Sequence, residues 1–123
     1  MVYLPYLSYF IISNVNGKES SICGMGQGKK YLWRDDGKIW IMYNRVDGKL
    51  HGKQYTWHEN GQLRSIANYV GGEQHGKEYE WYENGVLSSV FSYVHNKRHG
   101  ECYGWSRYRE LVFVFDYEND RNI

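Results

Sequence analysis

The feature that most constrains this chain is a repeat of fixed length. Trp33, Trp57, Trp81 and Trp105 follow one another at intervals of 24 residues, and their surroundings keep step: "GKKYLW" begins at Gly28, "GKQYTW" at Gly52, "GKEYEW" at Gly76 and "GECYGW" at Gly100. A strict period of this size marks one supersecondary unit used repeatedly, each copy completing its packing against the next. Two turn signals fall inside every unit. One is the pair Asp36-Gly37, Asn60-Gly61 and Asn84-Gly85, dipeptides that tolerate positive φ at both centres and predict a primed hairpin turn. The other is the column Gly24, Gly48, Gly72, Asn96 and Asp120, again residue types that accept left-handed backbone. Each unit therefore reads as a β-hairpin.

The segments between turns have the length of ordinary strands. In the first strand of each unit Tyr31 and Trp33, Tyr55 and Trp57, Tyr79 and Trp81, and Tyr103 and Trp105 share one face, with polar residues such as Gln54, Thr56 and His58 between them. This alternation predicts one buried and one wet face. In the second strand Ile39, Leu63, Leu87 and Leu111 keep that phase, but Met42, Ile66, Val90 and Val114 take the opposite one, which calls for a bulge or for partial cover on both faces. Counting back one period reaches Tyr9, Val15 and Ile22, so a worn copy precedes the clear ones. The expectation is an all-β chain: an elongated, twisted antiparallel meander of about ten strands, built from about five 24-residue hairpins. It forms a single domain over 1–123, with a degenerate unit at 4–27, units at 28–51, 52–75 and 76–99, and a C-terminal capping unit at 100–123. Thirteen Tyr, five Trp and fourteen Gly against one Pro agree with short strands and tight turns.

The stretches "GKQYTWHENGQL" and "GKEYEWYENGVL", with weaker forms at Gly28 and Gly100, resemble the MORN (membrane occupation and recognition nexus) repeat. They are closer to its divergent form found in bacterial antitoxin-like proteins. The resemblance covers residues 28 to 112; it departs from the pattern in its longer step and in Tyr108-Arg109 where an Asn-Gly turn is missing. It implies a scaffold that binds other proteins and pairs through its end units.

Several tempting sites dissolve on inspection. Equivalent residues in successive units stand two strands apart, roughly 9.5 Å, whereas zinc needs its nitrogens within roughly 2.1 Å of the ion. His51, His75 and His99 are thus expected at the loop before each first strand and not as a metal triad; His95 with His99 is a pair fit only for adventitious surface metal. "GMGQGKK" at 24–30 is one residue short of a phosphate loop and carries Lys30 where a hydroxyl is required. Glu59 and Glu83 have a separation available to an inverting glycosidase, but only an enclosing pocket holding both with a histidine would argue for catalysis. No nucleophile elbow is present in the sequence.

The net charge of +1 supplies no field for a polyanion, so nucleic acid is not an expected partner. Cys23 and Cys102 are too few for a disulfide framework and suggest reduced thiols and a cytoplasmic location. The opening "MVYLPYLSYFII" is too short to span a bilayer and reads as a first strand.

What remains is a non-enzymatic module, with no cofactor expected, that binds a protein partner through its extended sheet. Lys53, Lys77, His58 and Tyr82 are the candidate interaction surface. The terminal strand, with Leu111, Phe113 and Phe115 expected on one face and Val112 and Val114 on the other, is the candidate edge for a homodimer. Two alternatives follow: an antitoxin-like neutraliser of one cognate protein, and a peripheral phospholipid binder using the column Lys29, Lys53 and Lys77, which the neighbouring glutamates dilute.

Overall fold

The computed structural model describes residues 19–21 and 28–123; the proposed strand at the start of the chain, Tyr9, Val15, Ile22, Cys23 and Gly24 lie outside the described residues. The elements are β1 (Glu19–Ser21), β2 (Gly28–Trp33), β3 (Ile39–Val46), β4 (Lys49–Leu50), β5 (Gly52–Trp57), β6 (Leu63–Val70), β7 (Glu73–Gln74), β8 (Gly76–Trp81), β9 (Leu87–Val94), β10 (Lys97–Arg98), β11 (Gly100–Trp105), β12 (Leu111–Glu118) and β13 (Arg121–Asn122). The described residues contain no helix. All neighbouring strands are antiparallel and make one sheet in the order β1-β2-β3-β5-β6-β8-β9-β11-β12-β13, with β4, β7 and β10 beside β3, β6 and β9. At about 4.8 Å per strand and 3.3 Å per residue, the path is longer across the strands than along them, as a meander requires.

The strands outnumber the ten expected because each returning strand is broken. β4 and β5 both pair with β3: Leu50 opposes Arg45, then Tyr55 opposes Met42. The slack lies at His51 and Gly52, where Gly52 takes φ 82° and His51 N–H still donates to the Asn44 carbonyl at 2.9 Å. Such a bulge kinks the strand and sharpens its twist. The same break recurs at His75-Gly76 and His99-Gly100, with glycine φ of 95° and 94°.

The turn assignment needs correcting. At Asp36-Gly37, Asn60-Gly61 and Asn84-Gly85 only the glycines have positive φ, at 88°, 88° and 86°. The Arg34 carbonyl accepts from Gly37 N–H at 2.9 Å, and Arg34 N–H donates to the Lys38 carbonyl at 2.8 Å. This is a type I turn closed by a left-handed glycine, the three-residue hairpin loop. Asp36, Asn60 and Asn84 serve it by accepting the backbone N–H two residues on, which needs no left-handed backbone of their own. The primed turn is the other one: Asp47 and Gly48 have φ of 52° and 78°, His95 and Asn96 of 48° and 67°, Asn119 and Asp120 of 51° and 69°.

A second bulge resolves the phase conflict in the sequence. Trp33 opposes Ile39 while Leu32 opposes Ile41, leaving Trp40 as the extra residue; Arg64, Ser88 and Val112 are its counterparts. Beyond it Tyr31 faces Met42, and the row Tyr31, Met42, Tyr55, Ile66, Tyr79, Val90, Tyr103, Val114 crosses the sheet without a gap. Within each strand the Tyr ring stacks on the Trp ring, with centroids 6.3, 6.0, 6.0 and 5.9 Å apart.

Those rings are not a closed core. Every Tyr and Trp of the ladder is half-buried, and only Ala67, Val90, Cys102 and Ser89 among the side chains are buried outright. The expectation of one dry face and one wet face fails because the described residues form a single layer with nothing packed over either side. Large rings shield one another and the backbone, and both faces stay partly wet.

Candidate functional site

The terminal strand is the most exposed apolar feature. Leu111, Val112, Val114 and Phe115 are 57, 65, 48 and 40% exposed. On its inner side β12 pairs with β11; on its outer side β13 pairs with Tyr117 and Glu118, and Ile123 N–H donates to the Asp116 carbonyl at 2.8 Å. Among the described residues, 111 to 115 thus present an unpaired backbone edge. Their distribution between faces differs from expectation. With Val112 as the bulged residue, Leu111 opposes Trp105 and Val114 opposes Tyr103, while Phe113 and Phe115 oppose Gly104 and Cys102 on the other face. Phe113 and Phe115 stack there at 5.3 Å.

The four candidate surface residues separate into two pairs. Lys53 and Lys77 are exposed and lie on the Tyr-Trp face, opposite Asn68 and Ser92. His58 and Tyr82 are half-buried straps. His58 Nε2 donates to the Trp81 carbonyl at 2.7 Å and Tyr82 Oη to the Trp105 carbonyl at 2.8 Å. Arg34 does the same to the Trp57 carbonyl at 2.8 Å. Three different donors at one repeat position reach the same acceptor one unit on, which the sequence conceals because the position looks unconserved between units.

A groove brings together Arg34, Trp40, His58, Glu59, Arg64 and Glu83, the two carboxylates and histidine whose enclosure would argue for catalysis. It is open to solvent, the Glu59 side chain is 89% exposed, and the His58 ring is committed to Trp81. This arrangement gives a proton donor no desolvated position from which to act. His51, His75 and His99 occupy one place in three successive units, at the bulges; the His95 ring sits 5.7 Å from that of His75 and 3.2 Å from a Glu73 carboxylate oxygen. Among the described residues no three His, Cys, Asp or Glu side chains gather as a metal site, and no helix is long and apolar enough to cross a membrane.

On the face away from the Trp ladder lies a cluster the sequence reading missed. The Arg98 guanidinium is held between the rings of Phe91 and Tyr117, at 4.9 and 5.4 Å, beside Tyr93. Burial, with Glu80 nearby, raises the Glu78 carboxyl above the usual carboxylate range, against the opposing pull of Gln74, Tyr93 and Arg98. Gln74 Nε2 is buried and falls short of hydrogen-bond geometry. Burial likewise pushes the Tyr93 and Tyr69 phenols up. Cys102 beneath them is a free and fully buried thiol. The available signal was a break in the period: Arg98 stands where earlier units carry Leu50 and Gln74.

Compared with known families, residues 50–70 and 74–95 match the model described as MORN repeat variant. No curated protein matches the chain. The matched stretches run from the end of β4 through β6 and from the end of β7 through β9, so each contains one long hairpin with its bulge and three-residue turn.

Proposed function

We propose, from the chain's membership of the MORN-repeat family, that it is a non-enzymatic module that binds another protein by strand addition to β12. The observation carrying this reading is the edge at residues 111–115, unpaired among the described residues, apolar on both faces and unguarded by lysine or proline. An edge of this kind is a template for a further strand. A second copy of the chain satisfies it as well: antiparallel pairing about Val114 sets Phe113 against Phe115 of the other copy and stops short of β13 on both sides. An antitoxin-like neutraliser would use the same edge for one tight cognate strand.

The test is sedimentation of the purified chain over a range of concentrations, together with affinity capture from its host, for the parent and for Val112→Lys. Self-association or capture of a protein that the lysine abolishes, with melting unchanged, supports the reading. A bound protein retained equally by the variant removes β12 from it. A second reading rests on the pairs Lys29–Asn44, Lys53–Asn68 and Lys77–Ser92 in three successive units, each of which sets a lysine opposite an uncharged residue. Binding to anionic vesicles that falls with salt and is lost on Lys53→Glu with Lys77→Glu would favour a phospholipid surface.

A further inference from the structure

We infer that the aromatic face carries a second recognition element, separate from β12: the slot between Trp81 and Trp105 takes a proline of an acid-bearing peptide in the polyproline II conformation. The inference deepens the protein-binding reading and rests on it. The slot is an open groove of about 350 Å³ lined by Trp81, Gly85, Val86, Leu87, Trp105 and Arg109. Leu87, opposite Trp81, forms its floor, and the two indoles form its walls.

The spacing of the walls fits this ligand. Trp57, Trp81 and Trp105 recur every second strand, about 9.6 Å apart. A polyproline II helix advances about 3.1 Å per residue with three residues per turn, or about 9.3 Å. Prolines at i and i+3 therefore straddle Trp81, one on each side. The hydrogen-bond inventory fits too. Among the described residues, no protein acceptor takes the indole N–H of Trp57, Trp81 or Trp105, and none of these nitrogens is buried. The polyproline II backbone leaves all its carbonyls free to accept such donors, whereas a β-strand ligand would seek a ladder this face does not offer.

Two features single out this slot and the charge of its ligand. Val86 lines it where the preceding units carry Lys38 and Gln62. Gln62 Oε1 lies 3.9 Å from the point a Cβ on Gly85 would occupy, so it leans towards the Trp57–Trp81 gap and leaves the Trp81–Trp105 gap the more apolar of the two. Arg109 stands at the rim, so an acidic residue flanking the prolines finds a cation there. A neutral glycan would use the rings and leave Arg109 idle.

The test is calorimetric and fluorescence titration of the full chain with an acetylated peptide of four Pro-Pro-Glu triplets and with its all-D mirror image. The mirror peptide has the same composition and charge but the opposite helical hand. The expected result is saturable binding of the L peptide with a shift in tryptophan emission, and binding at least about tenfold weaker for the D peptide. Val86→Lys, an exchange at a turn residue, should weaken the L peptide about tenfold with melting unchanged. Arg109→Gly, which keeps the turn, should weaken it about two- to fivefold and leave neutral oligoproline unaffected. Equal binding of both mirror forms, indifference to Val86→Lys, or displacement of the peptide by a soluble β-1,4-linked oligosaccharide overturns the proposal. Absence of peptide binding while a protein partner is still captured in a β12-dependent way removes the proline slot and leaves the interaction module standing; absence of both removes both.

Discussion

Gly104 offers the sharpest test of how this sheet is packed. It sits inside β11 with Phe113 directly opposite, at a position where the earlier units carry Leu32, Thr56 and Glu80. A Cβ placed on Gly104 overlaps the Cε2, Cζ and Cδ2 atoms of the Phe113 ring, the farthest of the three at 2.6 Å. The backbone is not the obstacle, because Gly104 is not among the left-handed residues. Gly104→Ala must therefore drive the ring off the strand and disturb its contacts with Phe91 at 6.2 Å and Phe115 at 5.3 Å. Overpacking of this kind costs about 1 to 3 kcal/mol, offset by about 0.5 to 1 kcal/mol for relieving a strand of glycine. The expected net loss is roughly 0.5 to 2 kcal/mol by urea unfolding. In a Phe113→Ala background the same substitution should instead stabilise by about 0.5 to 1 kcal/mol, giving a coupling of roughly 1 to 3 kcal/mol in the double-mutant cycle. A neutral or stabilising Gly104→Ala in the parent chain would refute the claim that the glycine exists to seat the ring.

Three further outcomes follow from the same geometry. Arg109 holds φ 67° where the other units have glycine, so Arg109→Gly should raise unfolding stability by about 0.5 to 1 kcal/mol; no gain in denaturant midpoint would count against a strained turn. Tyr82→Phe removes the strap to Trp105 and should cost about 0.5 to 1.5 kcal/mol, whereas an unchanged melting curve would show that strap to be dispensable. Glu78 has its carboxyl pKa raised in the fold, so the stability tied to its neutral form is complete below the unfolded carboxylate pKa and is lost as pH rises through the folded value. Melting of Glu78→Gln and the parent, compared from about pH 4 to about pH 7, should diverge in favour of the glutamine as pH rises, and parallel curves would contradict the burial of that carboxyl.

Much of the architecture was legible because it is periodic. The 24-residue step of the tryptophans locates the long hairpins, and the phase conflict between Ile39 and Met42 calls for a bulge or for cover on both faces, of which the register shows the bulge, at Trp40. Asn-Gly was misread as a primed turn because its composition serves both turn types; the choice is made by the hydrogen bonds closing at Arg34 and Lys38, which no dipeptide reveals. The faces of β12 were misassigned for a related reason, since one bulged residue, Val112, moves Leu111 to the opposite side from Phe113. His58 and Tyr82 looked like free surface groups because their partners are backbone carbonyls, which leave no mark in a sequence.

A single-layer sheet cannot rely on a shared core, so its stability is a sum of bonds between neighbouring units. Those bonds are repeated: side chains of residues 34, 58 and 82 reach the next tryptophan carbonyl, and Gly72, Asn96 and Asp120 N–H groups donate to Leu50, Gln74 and Arg98 carbonyls. Those positions are thereby occupied in holding their neighbours. The departures from the period gather in the last unit and its seam with the one before: Val86 in place of a polar turn residue, Arg98 in place of Leu50 and Gln74, Gly104 under Phe113, and Arg109 in place of glycine; the proposed binding elements lie among them. A partner that bound the middle of the ladder, at Tyr55 and Trp57, with the same affinity as the stretch near Trp105 would show that the repeat itself is the ligand-reading element, and that the irregular positions add nothing to it.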